Sequence, residues 1–428
     1  MWRIALPMIF SNVSVPLLGM VDTGVTGHLE NATYLGAIAI GSTIFSLLYV
    51  SVNFLRMGTT GIAAQRYGAS DFDGVRIALG QALIIALLVA AILLLFRQSL
   101  GELALKLLGA NPSVREYARE YFNIRIWSAP ATLAGYALIG WFIGMQNARA
   151  PLLIVVTTNC VNIALDLWFV VLLDMKVTGV AMASLIAEYS GIAIGLGLVF
   201  LELRKHSGHW LVGKLASASE YKAFLSVNGN LFLRTIALMF TLSFVTAQGA
   251  RQGDLILAAN AILLNLQYLL SFALDGLAHA AEALVGKAIG AKNRPALRQS
   301  VTLTLRWSLL VAISFCVVFS LGGPLLIRTL TNLVPVREAA FSYLPWLVLS
   351  PIVSVWSFLY DGVFVGATRS REMRDIMILS SVAVFIPAWY AFRFLGNHGL
   401  WLAFTLFMAS RGIGMHYYYQ RRLLRSCG

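Results

Sequence analysis

The chain has 428 residues, of which 59% are hydrophobic and 12% charged, with a formal net charge of +13. Globular domains carry about 25% charged residues, so a soluble fold of this length lacks the polar surface it needs, and an all-α integral membrane protein is predicted. The basic excess lies in short loops between apolar runs rather than on one polar face, which excludes a nucleic-acid partner and makes the charge an orientation signal.

Runs long enough to cross a bilayer, about 20 residues, follow one another along the chain. They predict helices over 3–25, 34–57, 74–96, 118–144, 151–173 and 177–202. A basic stretch with Ser and Gly, residues 204–219, then separates a second set over 224–248, 255–277, 299–322, 340–366, 375–395 and 398–419. Backbone groups in lipid must bond internally, so each span is helical. The division is an N-terminal lobe over 1–203, a linker over 204–219 and a C-terminal lobe over 220–428. The first span starts almost at once and lacks a signal-peptide cleavage pattern; a short cytoplasmic tail ahead of Met1 is expected. Cys160, Cys316 and Cys427 are scattered and give neither a disulfide framework nor a metal spacing.

Several residues stand out along these spans. The first contains Pro7 and Pro16, each able to kink a helix, and Asp22 near its far end. The fifth holds a single charge, Asp166, about 22 Å along it, with Asn162 one turn earlier on the same face. The sixth runs back and brings Ser184 to a similar level. Asp22, Asn162, Asp166 and Ser184 are expected to share one pocket of the first lobe. Arg125, Glu188, Arg234, Asp275, Glu282, Arg306 and Asp361 also lie in or beside spans, where charge is expensive and a partner or water path is expected. Arg56 and Arg411 are expected to extend along the bilayer to the cytoplasmic interface.

Lys and Arg divide unevenly between the two sides. One side carries Arg66, Arg76, Arg149, Arg204, Lys292, Arg294, Arg371, Arg421 and others, nearly twice as many as the side with Arg97, Lys106, Arg115 and Arg393. The positive-inside rule therefore places both termini in the cytoplasm, consistent with an even number of spans.

The two sets of spans are related. At an offset of 222 residues (Val336 against Val114), Val114-Arg115-Glu116 meets Val336-Arg337-Glu338, Gly68-Ala69 meets Gly290-Ala291, and Gly140-Trp141-Phe142-Ile143-Gly144 meets Gly362-Val363-Phe364-Val365-Gly366. Six spans per repeat give both lobes one orientation, related by an axis along the membrane normal, as in transporters with a substrate site near the midplane. The repeat is chemically unequal: Asp22 and Asp166 face Phe244 and Ala388, and Pro7 and Pro16 face Gly229 and Leu238.

The stretches Leu6-Pro7-Met8-Ile9-Phe10-Ser11-Asn12, Val21-Asp22-Thr23 with Gly27-His28-Leu29, Asn162-Ile163-Ala164-Leu165-Asp166, Ala187-Glu188-Tyr189 and Asp361 to Arg369 resemble the multidrug and toxic compound extrusion (MATE) transporters, in particular their bacterial DinF branch. That resemblance implies twelve helices in two pseudo-symmetric six-helix bundles forming a V around a cavity. It implies a monomer of the bacterial inner membrane that needs no cofactor and exports organic, mostly cationic and lipophilic drugs in exchange for H⁺ or Na⁺. It further implies a cation-coupling site at Asp22, Asn162 and Asp166, where Na⁺ is the alternative ion, with Ser184 at the place of a threonine. Helix bending is implied at Pro7, and Pro16 is a second position for it. A tyrosine found in some relatives one turn before the aspartate is Leu18 here. Asp361 and Glu282 do not clearly match the family's second-lobe carboxylates and stay secondary.

Two other readings are weaker. A flippase for lipid-linked precursors calls for a strongly cationic central cavity, whereas the charges in these spans are mixed. An intramembrane enzyme calls for a catalytic constellation; His-Glu-x-x-His, Gly-x-x-x-x-Gly-Lys-Ser/Thr and Gly-x-Ser-x-Gly are all absent, and His279, His398 and His416 are isolated in sequence.

Overall fold

The computed structural model describes residues 1–26, 31–109 and 111–426; the side chains at 15–18, 20, 22, 23, 25, 26, 32, 220 and 426 lie outside that description. The first half contains α1 (Trp2–Thr26), α2 (Ala32–Val52, resuming as Phe54–Gly68), α3 (Phe72–Leu95), α4 (Pro112–Arg125, continuing as Ala129–Gly144), α5 (Arg149–Asp166) and α6 (Lys176–Leu203). The second contains α7 (Ala218–Arg251), α8 (Asp254–Gly290), α9 (Arg294–Leu330), α10 (Val334–Gly366), α11 (Ser370–Leu379, resuming as Ile386–Phe392) and α12 (Asn397–Tyr418). Among the described residues ten spans are both long and apolar enough to cross a membrane. Helices α1 and α12, of 25 and 22 residues, have spanning length as well.

Residues pack into two compact units, Phe10–Phe224 and Leu225–Gly428 joined by Met1–Ile9. The core of the first is aromatic: Phe45 stacks on Phe122 at 5.4 Å and meets Tyr121 edge-on. The core of the second gathers Phe319, Phe385, Phe407 and Trp401. Large apolar side chains such as Leu95 and Leu321 point outward, as lipid in place of water allows.

Several helices outrun their apolar spans. Helix α2 continues past residue 57 to Gly68 because Gly58, Thr59, Thr60 and Gly61 are buried against a neighbour instead of forming a loop. Helices α8 and α9 are each 37 residues long, about 55 Å and well beyond the hydrocarbon thickness of about 30 Å.

The repeat seen in the sequence recurs in the backbone. A Cβ added at Gly140 would collide with the carbonyl oxygen of Arg56, and one at Gly362 with that of Ala278. One helical turn further, Gly144 abuts the Thr60 carbonyl and Gly366 that of Glu282. The same small-xxx-small face thus lets α4 approach α2, and α10 approach α8, at backbone distance. Left-handed non-glycine residues also coincide, Ser70 with Lys292 (φ 56° and 51°) and Gln146 with Thr368 (62° and 53°). Asp71 caps α3 by accepting from the Gly74 N–H, and Asn293 caps α9 by accepting from that of Ala296.

Candidate functional site

The far half of α5 turns its polar residues inward. Asn162 and Asp166 are 3% and 1% exposed, while Leu153, Val156 and Leu167 on other faces are open. The partner helix is α6, which runs antiparallel and close because of its glycines. A Cβ at Gly195 would meet Ile154, one at Gly191 would meet Thr158, and one at Gly179 would meet Phe169. Continuing that register places Ala187 opposite Asn162, and Ala183 with Ser184 level with Asp166. All three α6 residues are buried. The small side chains leave room around the two α5 groups. The Asn162 amide nitrogen has no hydrogen-bond acceptor among the described residues.

Directly after Asp166 the helix changes to a π-helical segment, Leu167–Leu172, in which the N–H of Leu173 bonds the carbonyl of Trp168, 3.0 Å away. Such wide turns are frequent at functional sites. One turn before Asn162, the Asn159 amide donates to the hydroxyl and carbonyl of Ser14 on α1, at 3.1 and 3.3 Å. Helix α1 carries Pro7 and Pro16 without interruption and includes Asp22 in its last two turns. Pro7 is half-buried; the side chains of Pro16 and Asp22 are outside the described residues, as are Gly27, His28 and Leu29.

A second polar cluster adjoins the first, because Glu188 lies one turn along α6 from Ser184. The Arg125 guanidinium donates to the Tyr121 hydroxyl and lies over the Phe45 ring at 5.2 Å, a cation–π contact. Tyr121 in turn contacts Ser42, and the Tyr49 hydroxyl is 2.9 Å from that of Ser128. Glu188 sits beside the Thr132 hydroxyl within electrostatic reach of Arg125. The half-buried Arg125 and Glu188, predicted separately, therefore belong to one polar group, to which the sequence reading did not assign the buried Tyr49, Tyr121 or Ser128.

The charges of the second half form a different assembly. One carboxylate oxygen of Asp361 on α10 accepts from Arg234 on α7 and, at 2.7 Å, from Arg411 on α12. Asp275 lies within reach of the same arginine. Arg411 is 4% exposed, so the expectation that it extends to the interface is corrected: α12 continues past Tyr418 into a further turn, Tyr419–Leu423, leaving Arg411 enclosed beside Asp361. Glu282 is buried with His279 Nδ1 3.3 Å from its carboxylate. The sequence reading also missed a neutral ladder in which Asn260 and Asn397 exchange two 2.8 Å bonds and Trp401 donates to Asn260. Its members are spread over 141 residues, so only the fold assembles them.

Comparison with known proteins agrees with this architecture. The MatE family model matches residues 7–168 and 230–390, once in each half. The chain is 44% identical to DNA damage-inducible protein F of Escherichia coli (strain K12), over 97% of this chain and 90% of that one. It is 23% identical to multidrug and toxin extrusion protein 1 of Homo sapiens, over 92% of this chain and 70% of the relative. A crystal structure of a MATE protein in the bent conformation shares the fold with a TM-score of 0.90, at 19% identity and covering 99% of this chain and 95% of that one. The chain therefore belongs to the MatE family of multi-pass membrane transporters and is not an enzyme.

Proposed function

We propose that the protein exports organic, mostly cationic and lipophilic compounds across the bacterial inner membrane in exchange for protons. The coupling ion is handled in the first half by Asp22, Asn162, Asp166 and Ser184. The observation that supports this most is the burial of Asn162 and Asp166 on one face of α5, ahead of a π-helical turn, where the second half has Val384 and Ala388. Burying a carboxylate in a helix bundle is expensive, and a purely packing role would be served better by the apolar residues of the other half. Asp22 stands eight residues beyond Ser14, and Asp166 seven beyond Asn159, the pair that ties α1 to α5. By helix rise alone, these two sequence positions fall about 10–12 Å along their helices from that tie.

In this mechanism a proton reaching Asp166 or Asp22 removes a charge from an enclosed site and changes what the carboxyl can hold. The Asn159–Ser14 contact transmits the change to α1, which bends near Pro7 and perturbs the substrate cavity. Inward proton flow adds the membrane potential, about 2.3 kcal/mol per charge per 100 mV, to the driving force. Arg125 and Glu188, beside the site, hold α4 and α6 in place around it.

The test uses proteoliposomes with separately imposed H⁺ and Na⁺ gradients and a panel of lipophilic cations. Asp166→Asn and Asp22→Asn are expected to reduce drug-dependent proton movement by about tenfold or more, the range of ordinary coupling energies. Undiminished coupling in both variants would overturn the assignment. Transport that requires Na⁺ at constant pH would leave the same residues as oxygen ligands and change the ion.

A further inference from the structure

The second half contains a cavity of about 1010 Å³ where α9 begins and α12 ends, lined among others by Arg294, Arg298, Thr302, Arg306 and Arg425. Among the described residues, neither Asp nor Glu lines it. The arginine ion pairs of this half use Arg234, Arg369, Arg374 and Arg411 instead. Arg294, Arg298, Thr302 and Arg306 recur every four residues or a multiple of four, so they form one row along α9. On the opposite wall the Tyr360 hydroxyl lies 2.5 Å from His416 Nδ1, which keeps both rings facing the space.

The first half shows what such a groove looks like when filled. Arg76 is the counterpart of Arg298, and Gly80 that of Thr302. Arg76 is buried, donating to the carbonyls of Ser207, Leu203 and His206 at 3.0–3.1 Å as the chain after α6 folds back over α3. His206 stacks on Phe72 at 4.8 Å, and Leu215 closes against Gly80. The guanidinium there is satisfied by the negative ends of peptide dipoles. In the second half the equivalent guanidinium faces an open cavity, with three more arginines around it.

We propose that this cavity is a binding site for a phosphate-bearing anion, held by the guanidinium groups of Arg294, Arg298, Arg306 and Arg425. Four planar, permanently charged forks with no carboxylate among them match the bidentate geometry of phosphate oxygens and repel the cationic compounds the protein is proposed to export. The row runs about 18 Å from Arg294 to Arg306, beside Val301, Leu303 and Leu305. That wall suits an anionic phospholipid whose headgroup meets the arginines; a soluble phosphate shares the chemistry without using the apolar wall.

The experiment compares the full chain with an Arg298→Gln/Arg306→Gln variant. Retained lipid is counted by native mass spectrometry after exchange between phosphatidylcholine and phosphatidylglycerol nanodiscs. Thermal shift is read with inorganic phosphate in phosphatidylcholine alone. The wild type is expected to retain phosphatidylglycerol about thirtyfold better than the double variant, with Lys292→Gln/Arg421→Gln, outside the cavity, staying near wild type. A phosphate-induced shift lost in the double variant, without lipid selectivity, supports the site and identifies the soluble source. Equal lipid retention and equal phosphate response in wild type and double variant would overturn the proposal. Arg306→Gln alone repeats the comparison should the double variant fold poorly.

Discussion

Asp361 offers one carboxylate to two enclosed arginines, so its removal is more damaging than its net contribution suggests. Asp361→Asn leaves Arg234 and Arg411 sharing at best a neutral amide oxygen in place of their common negative charge, and a loss of about 3–5 kcal/mol is expected, as for other broken buried pairs. Thermal unfolding in detergent reads this directly. Replacing Asp361, Arg234 and Arg411 together by apolar residues is expected to cost far less. Asp71 is a gentler case outside the spans. Burial penalises its carboxylate, but the Gly74 N–H and the Arg66 guanidinium outweigh that penalty and hold the carboxyl below its ordinary range. A depressed folded value means the cap's contribution is complete above the ordinary carboxylate range and lost as pH falls through the folded value. Amide exchange over 70–76, corrected for intrinsic rates, is expected to accelerate on acidification in the wild type and to be fast and flat in Asp71→Ala. The substitution itself is expected to cost about 0.5–2 kcal/mol, as for other helix caps.

Helix packing in each half depends on a pair of glycines. Gly140→Ala or Gly362→Ala drives a methyl into a backbone carbonyl, and backbone cannot move aside as a flexible side chain can. Each is expected to lower stability by about 1–3 kcal/mol, whereas Gly135→Ala on the same α4, with open space beside it, is expected to be neutral or slightly stabilising. Detergent-resistant folded fraction after heating separates the two. The repeated Gly-x-x-x-Gly was legible in the sequence as part of the internal repeat, while its role in close helix approach, which needs small residues at fixed spacing, came from the structure. The helices' true lengths were not legible. Gly58 to Gly61 read as a loop since glycine and threonine weaken a helical pattern, yet burial against α4 keeps them helical. The pairing of Arg411 was hidden for a related reason: its partner comes from another helix 50 residues away, and position along one span does not reveal a neighbour on the next. Asn162 and Asp166, four apart on one helix, were visible because their relation is local.

Across the whole chain, matching backbones carry unequal chemistry. The first half buries Asn162 and Asp166 and partly encloses the Arg125–Glu188 group; the second buries two arginines around Asp361 and an asparagine ladder, at positions that do not correspond. Sequence offset alone exposed the scaffold, and the differences from it marked the candidate site. Orientation is open to direct measurement. In a background lacking Cys160, Cys316 and Cys427, a single cysteine at Ser70 is expected to react only from the cytoplasmic side, and one at Asn111 only from the outside. Labelling with the opposite sidedness would reverse the orientation predicted from Lys and Arg.

The left-handed residues at Ser70, Gln146, Lys292 and Thr368 have a practical consequence. Each holds a side-chain-bearing residue in a conformation disfavoured by about 1–2 kcal/mol, only part of which a glycine would return as extra freedom of the unfolded chain. The four joints are thus ready-made sites for thermostabilisation. Gln146→Gly and Thr368→Gly are expected to raise the melting temperature additively, without touching a residue of either polar cluster, and so to yield a sturdier protein for the transport and lipid measurements.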